Sequence, residues 1–141
     1  MKIILIRSLN IKSETFKRDD IDWRTDEGFI YLVKELKTGR YYVGKKNVYS
    51  KRTPKGMKNK KRVESNWRTY TTSSVVLSKK IKKAPENYSF YILSVCGNKS
   101  SLSYDEMKYM MKYDALINEL SYNENGRINL MCKIKNYKSR K

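Results

Sequence analysis

The sequence predicts an α/β (α+β) domain built from a β-hairpin, a third strand and two helices. Residues 28–47 place two runs of β-branched and aromatic residues on either side of Lys37-Thr38-Gly39, where Gly39 is free to take positive φ. A third such run, Tyr88 to Cys96, is ended by Gly97-Asn98. Apolar residues recur at helical spacing in 75–83 and again in 103–120. At 141 residues the chain is long enough for one domain with a modest core.

In chain order, residues 1–27 form an N-terminal extension. Lys2 to Leu9 is a candidate edge strand, and Lys17 to Glu27 reads as a charged connector whose Trp23 packs on the domain. The hairpin follows, with arms Phe29-Ile30-Tyr31-Leu32-Val33 and Arg40-Tyr41-Tyr42-Val43. With Thr38 and Gly39 as a two-residue turn, Glu35 faces Tyr42, Val33 faces Gly44 and Tyr31 faces Lys46. Period-two alternation then puts Tyr31, Tyr42 and Lys46 on one face, with Gly44 a bare patch of backbone open to close approach. A three-residue turn would flip that register.

Residues 51–62 are nearly all basic and include Pro54 and Gly56, which predicts a mobile loop rather than a helix. Val75 to Lys83 suits a short helix, capped by Ser73 or Ser74 and stopped by Pro85. Ser103-Tyr104-Asp105-Glu106 has the form of a capping box and would open the last helix, running to about Leu120. An Asn-Gly turn, a final strand around 127–134 and a basic tail at 136–141 complete the chain.

Charge narrows the function. The chain has 32 Lys and Arg against 14 Asp and Glu, a formal charge of +18. Self-repulsion on so small a body implies a polyanionic partner, nucleic acid before membrane. No apolar run approaches the roughly 20 residues of a spanning helix, and Ile3-Ile4-Leu5-Ile6 is too short for a signal-peptide core. The expectation is a soluble, cytoplasmic protein. Cys96 and Cys132 have no CxxC spacing and read as small buried hydrophobes rather than zinc ligands. The chain contains no histidine, which excludes Ser-His-Asp, Cys-His and His-based metal-nuclease chemistry.

Phe29-Ile30-Tyr31 and Tyr42-Val43-Gly44, ten residues apart, resemble the two strands that give the GIY-YIG nuclease family its name. Phe29 stands for the first Gly and Val43 for the second Ile. Gly44-Lys45-Lys46, the basic segment from Ser50, Trp67-Arg68-Thr69-Tyr70 and Ser73-Ser74 resemble the Seg-type branch, found as phage-encoded homing endonucleases. Thr71-Thr72 stands where that branch has Tyr-Gly. The likeness covers roughly residues 28–135. It implies a small domain with a central three-stranded antiparallel sheet flanked by helices, and a metal-dependent endonuclease that cuts double-stranded DNA to leave 5′-phosphate ends.

The resemblance also implies roles. Glu106 matches the family's glutamate on the helix after the third strand, the ligand of Mg²⁺ or Mn²⁺, with Asp105 its near neighbour. The residues themselves allow two readings of Glu106: a capping-box partner, or a ligand heading the stripe Glu106, Met110, Tyr113, Ile117. Tyr31 or Tyr42 would orient or deprotonate the attacking water, aided by Lys46, which with water also covers the histidine some members carry. Arg52, Arg62 and Arg68 are candidates for the guanidinium near the scissile phosphate, Arg68 having the better context. Asn123 resembles the asparagine near the domain's end, with Asn129 its rival. Lys45, Lys51, Arg52, Lys55, Lys58, Lys60, Lys61 and Arg62 would grip DNA phosphates. Little chain remains for a separate recognition domain, so specificity would be modest or borrowed from a homodimer partner. The competing readings are a catalytically inactive nucleic-acid binder and a factor acting on an acidic protein.

Overall fold

The computed structural model describes residues 16–124. The candidate strands at 2–9 and 127–134, the tail 136–141, Asn129 and Cys132 lie outside these residues. The elements are β1 (Gly28–Glu35), β2 (Tyr41–Asn47), β3 (Tyr49–Arg52), β4 (Lys61–Glu64), α1 (Val75–Lys83), β5 (Tyr88–Cys96) and α2 (Lys99–Lys112). An antiparallel three-stranded sheet in the order β2-β1-β5 forms the centre, and β3-β4 is a separate two-stranded ribbon.

β1 is central because both of its faces are apolar. Ile30 and Leu32 pack with Val43, Leu93 and the α2 residues Leu102 and Met110 on one side. Phe29, Tyr31 and Val33 pack with Trp67, Leu77 and Ile92 on the other. Each such burial is worth about 1.5–3 kcal/mol, so this one strand joins two core layers. A bulge in β5 opposite Ile30 and Tyr31 turns Leu93 and Ser94 both toward α2, where Ser94 Oγ donates to Asp105 at 2.5 Å.

α1 and β5 have the predicted bounds. The Ser74 hydroxyl accepts from the Leu77 amide, and the chain turns into a short 3₁₀ segment at Pro85–Asn87. The hairpin register departs from the two-residue turn. The loop holds four residues, Leu36 to Gly39, closed by Glu35 N–H donating to Arg40 O at 2.7 Å and Gly39 N–H donating to Glu35 O at 2.8 Å. Gly39 takes φ 74°, and Thr38 Oγ1 donates to the Glu35 carboxylate. Register therefore shifts by two residues: Tyr31 pairs with Gly44, Val33 with Tyr42, and Phe29 with Lys46. A shift of two preserves the faces, so Tyr31, Tyr42 and Lys46 still lie on one side.

Two further corrections concern the basic segment and α2. Residues 51, 52, 61 and 62 are strand residues, so the two ends of the predicted loop are a β-ribbon and only 53–60 remain turn and loop. α2 begins four residues before Ser103, because Asn98 is the cap: its Oδ1 accepts from Ser101 N–H at 2.8 Å. Starting there lets Leu102 enter the core. Glu106 thus sits mid-helix and is not part of a capping box. The helix ends at Lys112, with Asp114 at φ 53°, so Ile117 is not on its stripe.

Candidate active site

On the face of the sheet away from α2, β1 supplies Tyr31 and β2 supplies Tyr42, Gly44 and Lys46. Gly44 makes the cluster possible. A Cβ there would lie 2.5 Å from Tyr31 Oη and 2.8 Å from Tyr42 Cε1, so the predicted bare patch is filled by the chain's own phenol. Tyr31 is fully buried and stacks on Phe90 at 5.3 Å, with Tyr42 tilted beside it at 6.1 Å.

The turn after β4 adds a third phenol. Tyr70 Oη lies 3.4 Å from Tyr31 Oη and hydrogen-bonds Ser73 Oγ, while Ser73 N–H donates to Tyr31 Oη at 3.1 Å. Arg18 pins this turn from the N-terminal side. Its guanidinium donates to the carbonyls of Trp67 and Tyr70 and sits 4.4 Å from the Phe90 ring centre. Lys46 Nζ donates to Asn66 Oδ1 at 2.7 Å and lies 4.4 Å from the Tyr70 ring centre.

Burial, then the neighbouring phenols of Tyr70 and Tyr42, pushes the Tyr31 hydroxyl far above its usual range. Tyr42 is raised by burial first, then by Tyr70 and the charge of Glu106. Burial also lowers Lys46. Gly44, rather than Lys46, lies opposite Tyr31, and the pairing expected to depress a phenol is not made. Tyr31 and Tyr42 therefore keep their protons at neutral pH, and the cluster is suited to orienting a water by donating and accepting.

Glu106 and Asp105 separate cleanly. Asp105 accepts from Ser94 Oγ and Cys96 Sγ and pairs with Lys108 at 3.5 Å. Glu106 is half-buried, and its charge reaches Tyr42. Among the described residues no three Asp, Glu, Cys or His side chains gather as a metal cage. A carboxylate whose charge reaches a phenol fits a hard cation that keeps water and takes phosphate oxygens.

The remaining candidates divide by position. Asn123 is 3 % exposed, and its side chain is spent on β2: Oδ1 accepts from Val43 N–H at 2.9 Å and Nδ2 donates to Val43 O at 2.7 Å. It therefore acts on the cluster through the backbone between Tyr42 and Gly44. Arg62 is committed to the carbonyls of Trp23 and Asp26 and stacks on Tyr49 at 3.5 Å. Arg68 is largely exposed, held by Glu64 at 2.6 Å and lying over Trp67. Lys45 lies on β2 opposite Ile30, whereas Lys51, Arg52, Lys55, Lys58, Lys60 and Lys61 are exposed along the ribbon. Sequence analysis assigned no site role to Tyr70, Arg18 or Asn66. The spacing Trp67-x-x-Tyr70 was the available signal, yet only Trp67 is core.

The chain matches the family model described as "Putative endonuclease segE, GIY-YIG domain" over residues 10–129. It belongs to the GIY-YIG endonuclease family. No curated protein and no solved structure matches it. GIY-YIG nucleases generally depend on a divalent metal. Here the first Gly of the GIY-YIG signature is Phe29, which makes edge contacts with Tyr31 and Trp67 and is fully buried. The second signature Gly is retained as Gly44 for the room it gives both phenols. Gly44→Ala is expected to destabilise the domain by about 1–3 kcal/mol through overpacking, read from the urea midpoint. An unchanged midpoint would mean that Tyr31 can move aside despite its stacking on Phe90. Among the described residues no helix is long and apolar enough to cross a membrane.

Proposed function

We propose that the chain is a divalent-metal-dependent endonuclease that hydrolyses phosphodiester bonds in double-stranded DNA, leaving 5′-phosphate ends. The observation that carries the reading is the convergence of Tyr31, Tyr42, Tyr70 and Lys46 on one face of the sheet, with the charge of Glu106 reaching Tyr42 from α2, in a chain of formal charge +18. Tyr42 and Tyr70, both half-buried, orient the attacking water, and buried Tyr31 fixes their positions. Lys46 supplies positive charge beside the phenols. Arg68 stabilises charge on the phosphate: its exposed pair with Glu64 is worth at most about 1 kcal/mol, so a phosphate competes readily for it. A Mg²⁺ or Mn²⁺ ion on Glu106 would stabilise charge on the leaving 3′ oxygen. Asn123 positions Tyr42 through Val43. Lys45 and the ribbon residues Lys51, Arg52, Lys55, Lys58, Lys60 and Lys61 contact phosphates, while Arg62 secures the ribbon root.

The Seg-type likeness extends the reading to a phage-encoded homing endonuclease at work in the host cytoplasm, with specificity modest or supplied by a homodimer. The test is nicking of supercoiled plasmid. The native chain is expected to nick with Mg²⁺ or Mn²⁺ and to stop on chelation with EDTA. Salt-sensitive DNA binding without nicking under either ion would replace this reading with that of a DNA-binding protein.

A further inference from the structure

We propose that the β3–β4 ribbon is an arm that lies in the major groove of duplex DNA beside the cleaved phosphate. Its lysines would meet the two backbones and its tip the base edges. The inference rests on the endonuclease reading above and adds how the duplex is held.

The ribbon pairs only with itself among the described strands, and two strands alone are marginal in water. Its root is correspondingly well secured. Arg62 donates to the carbonyls of Trp23 and Asp26 and stacks on Tyr49. Ser65 N–H donates to Val48 O at 3.0 Å, and Ser65 Oγ donates to Asn47 O at 2.7 Å. Beyond this root the ribbon stands in solvent: residues 51–61 are exposed except Pro54, which is partly so. The tip is an ordered turn, with Met57 N–H donating to Pro54 O at 3.0 Å and Gly56 at φ 83° in the third position. Nothing lies within 4 Å of where a Gly56 Cβ would stand.

Between Tyr49 and Val63 there are seven Lys or Arg and no Asp or Glu. Such a charge density costs self-repulsion that a polyanion offsets. At the tip Met57 is 47 % exposed, an apolar side chain turned away from both cores. A two-stranded ribbon fits the B-DNA major groove, about 12 Å wide, and a base edge offers apolar contact there. RNA duplexes present a major groove too narrow for it, and a single strand presents none.

Position completes the case. One side of the root continues from Lys46 and the other leads to Asn66, and the Lys46–Asn66 hydrogen bond joins them at the tyrosine cluster. Four strand residues at about 3.3 Å each carry the tip on the order of 13 Å outward. One duplex can thus present a phosphate to the phenols and a groove to the arm.

The test compares the full native chain with the triple variant Lys55→Gln, Lys58→Gln, Lys60→Gln. Binding to a short DNA duplex and to its single strand is measured in EDTA across a salt series. Duplex affinity is expected to fall by about 10²-fold at 0.1 M salt, with the log–log salt slope smaller by about 2.7 for three lost phosphate contacts. Single-strand affinity is expected to change by less than about threefold. Dimethyl sulfate footprinting, which reports guanine N7 in the major groove and adenine N3 in the minor, should show N7 protection by the native chain only. Equal losses on both substrates, no loss, or protection confined to adenine N3 would each overturn the arm. If the native chain nicks plasmid and the variant binds duplex equally well, the arm fails and the endonuclease reading stands. If the native chain neither binds nor cuts duplex, both fall.

Discussion

Glu106→Gln is expected to lower metal-supported plasmid nicking by about 10³-fold while leaving duplex affinity within about twofold. The substitution keeps shape and removes one charge. Metal stabilisation of phosphoryl-transfer chemistry is worth several kcal/mol, and each 1.36 kcal/mol is tenfold in rate, so removing the charge of the proposed ligand is a loss of that order. A second readout needs no metal. Burial and then Tyr70 raise the Tyr42 phenol and the charge of Glu106 adds to them, so Gln at this position should lower the Tyr42 titration in part while leaving it raised. Undiminished nicking would remove Glu106 from the site. Parallel loss of nicking and fold would make its role structural.

Asn123→Ala is expected to cost about 2–4 kcal/mol of stability, seen as a lower urea midpoint at unchanged m-value. Two hydrogen bonds disappear, and the Val43 amide and carbonyl are left in a buried place without their partners. Against a typical total of about 5–15 kcal/mol this is a large fraction. Because Val43 lies between Tyr42 and Gly44, nicking should fall even at temperatures where the variant remains folded. A midpoint shifted by less than about 0.5 kcal/mol would mean that water replaces the amide and that the clamp is dispensable.

Local chemistry made parts of the fold legible. Ser74 and Pro85 bracket α1, and the aromatic and β-branched run of β5 is bounded by Gly97, so these elements follow from neighbours in sequence. α2 was misread because Asn98 and Ser103 are both competent caps. Only the need to bury Leu102 selects the first, and that is a tertiary fact. The hairpin slipped by two residues because Glu35 closes a four-residue loop with its own side chain and backbone, which Thr38-Gly39 alone does not announce. The tyrosine pair survived the slip since alternation depends only on parity. In the ribbon, Lys and Arg hid the strands, and Tyr49 stacked under Arg62 is the feature that supports them. Of the site, Tyr31, Tyr42 and Glu106 were readable through family likeness. Tyr70 and Arg18 reach the cluster through a turn whose path no local pattern specifies.

The stretch from Leu120 to Asn123 has one more consequence. β2 is an outer strand of its sheet, and its outward backbone groups would otherwise be an open template for another chain. Tyr41 N–H donates to Leu120 O, Tyr122 N–H donates to Tyr41 O, and the Asn123 amide occupies both groups of Val43. The clip therefore also guards against aggregation: it occupies the outward backbone groups of Tyr41 and Val43 that strand exchange between copies would need.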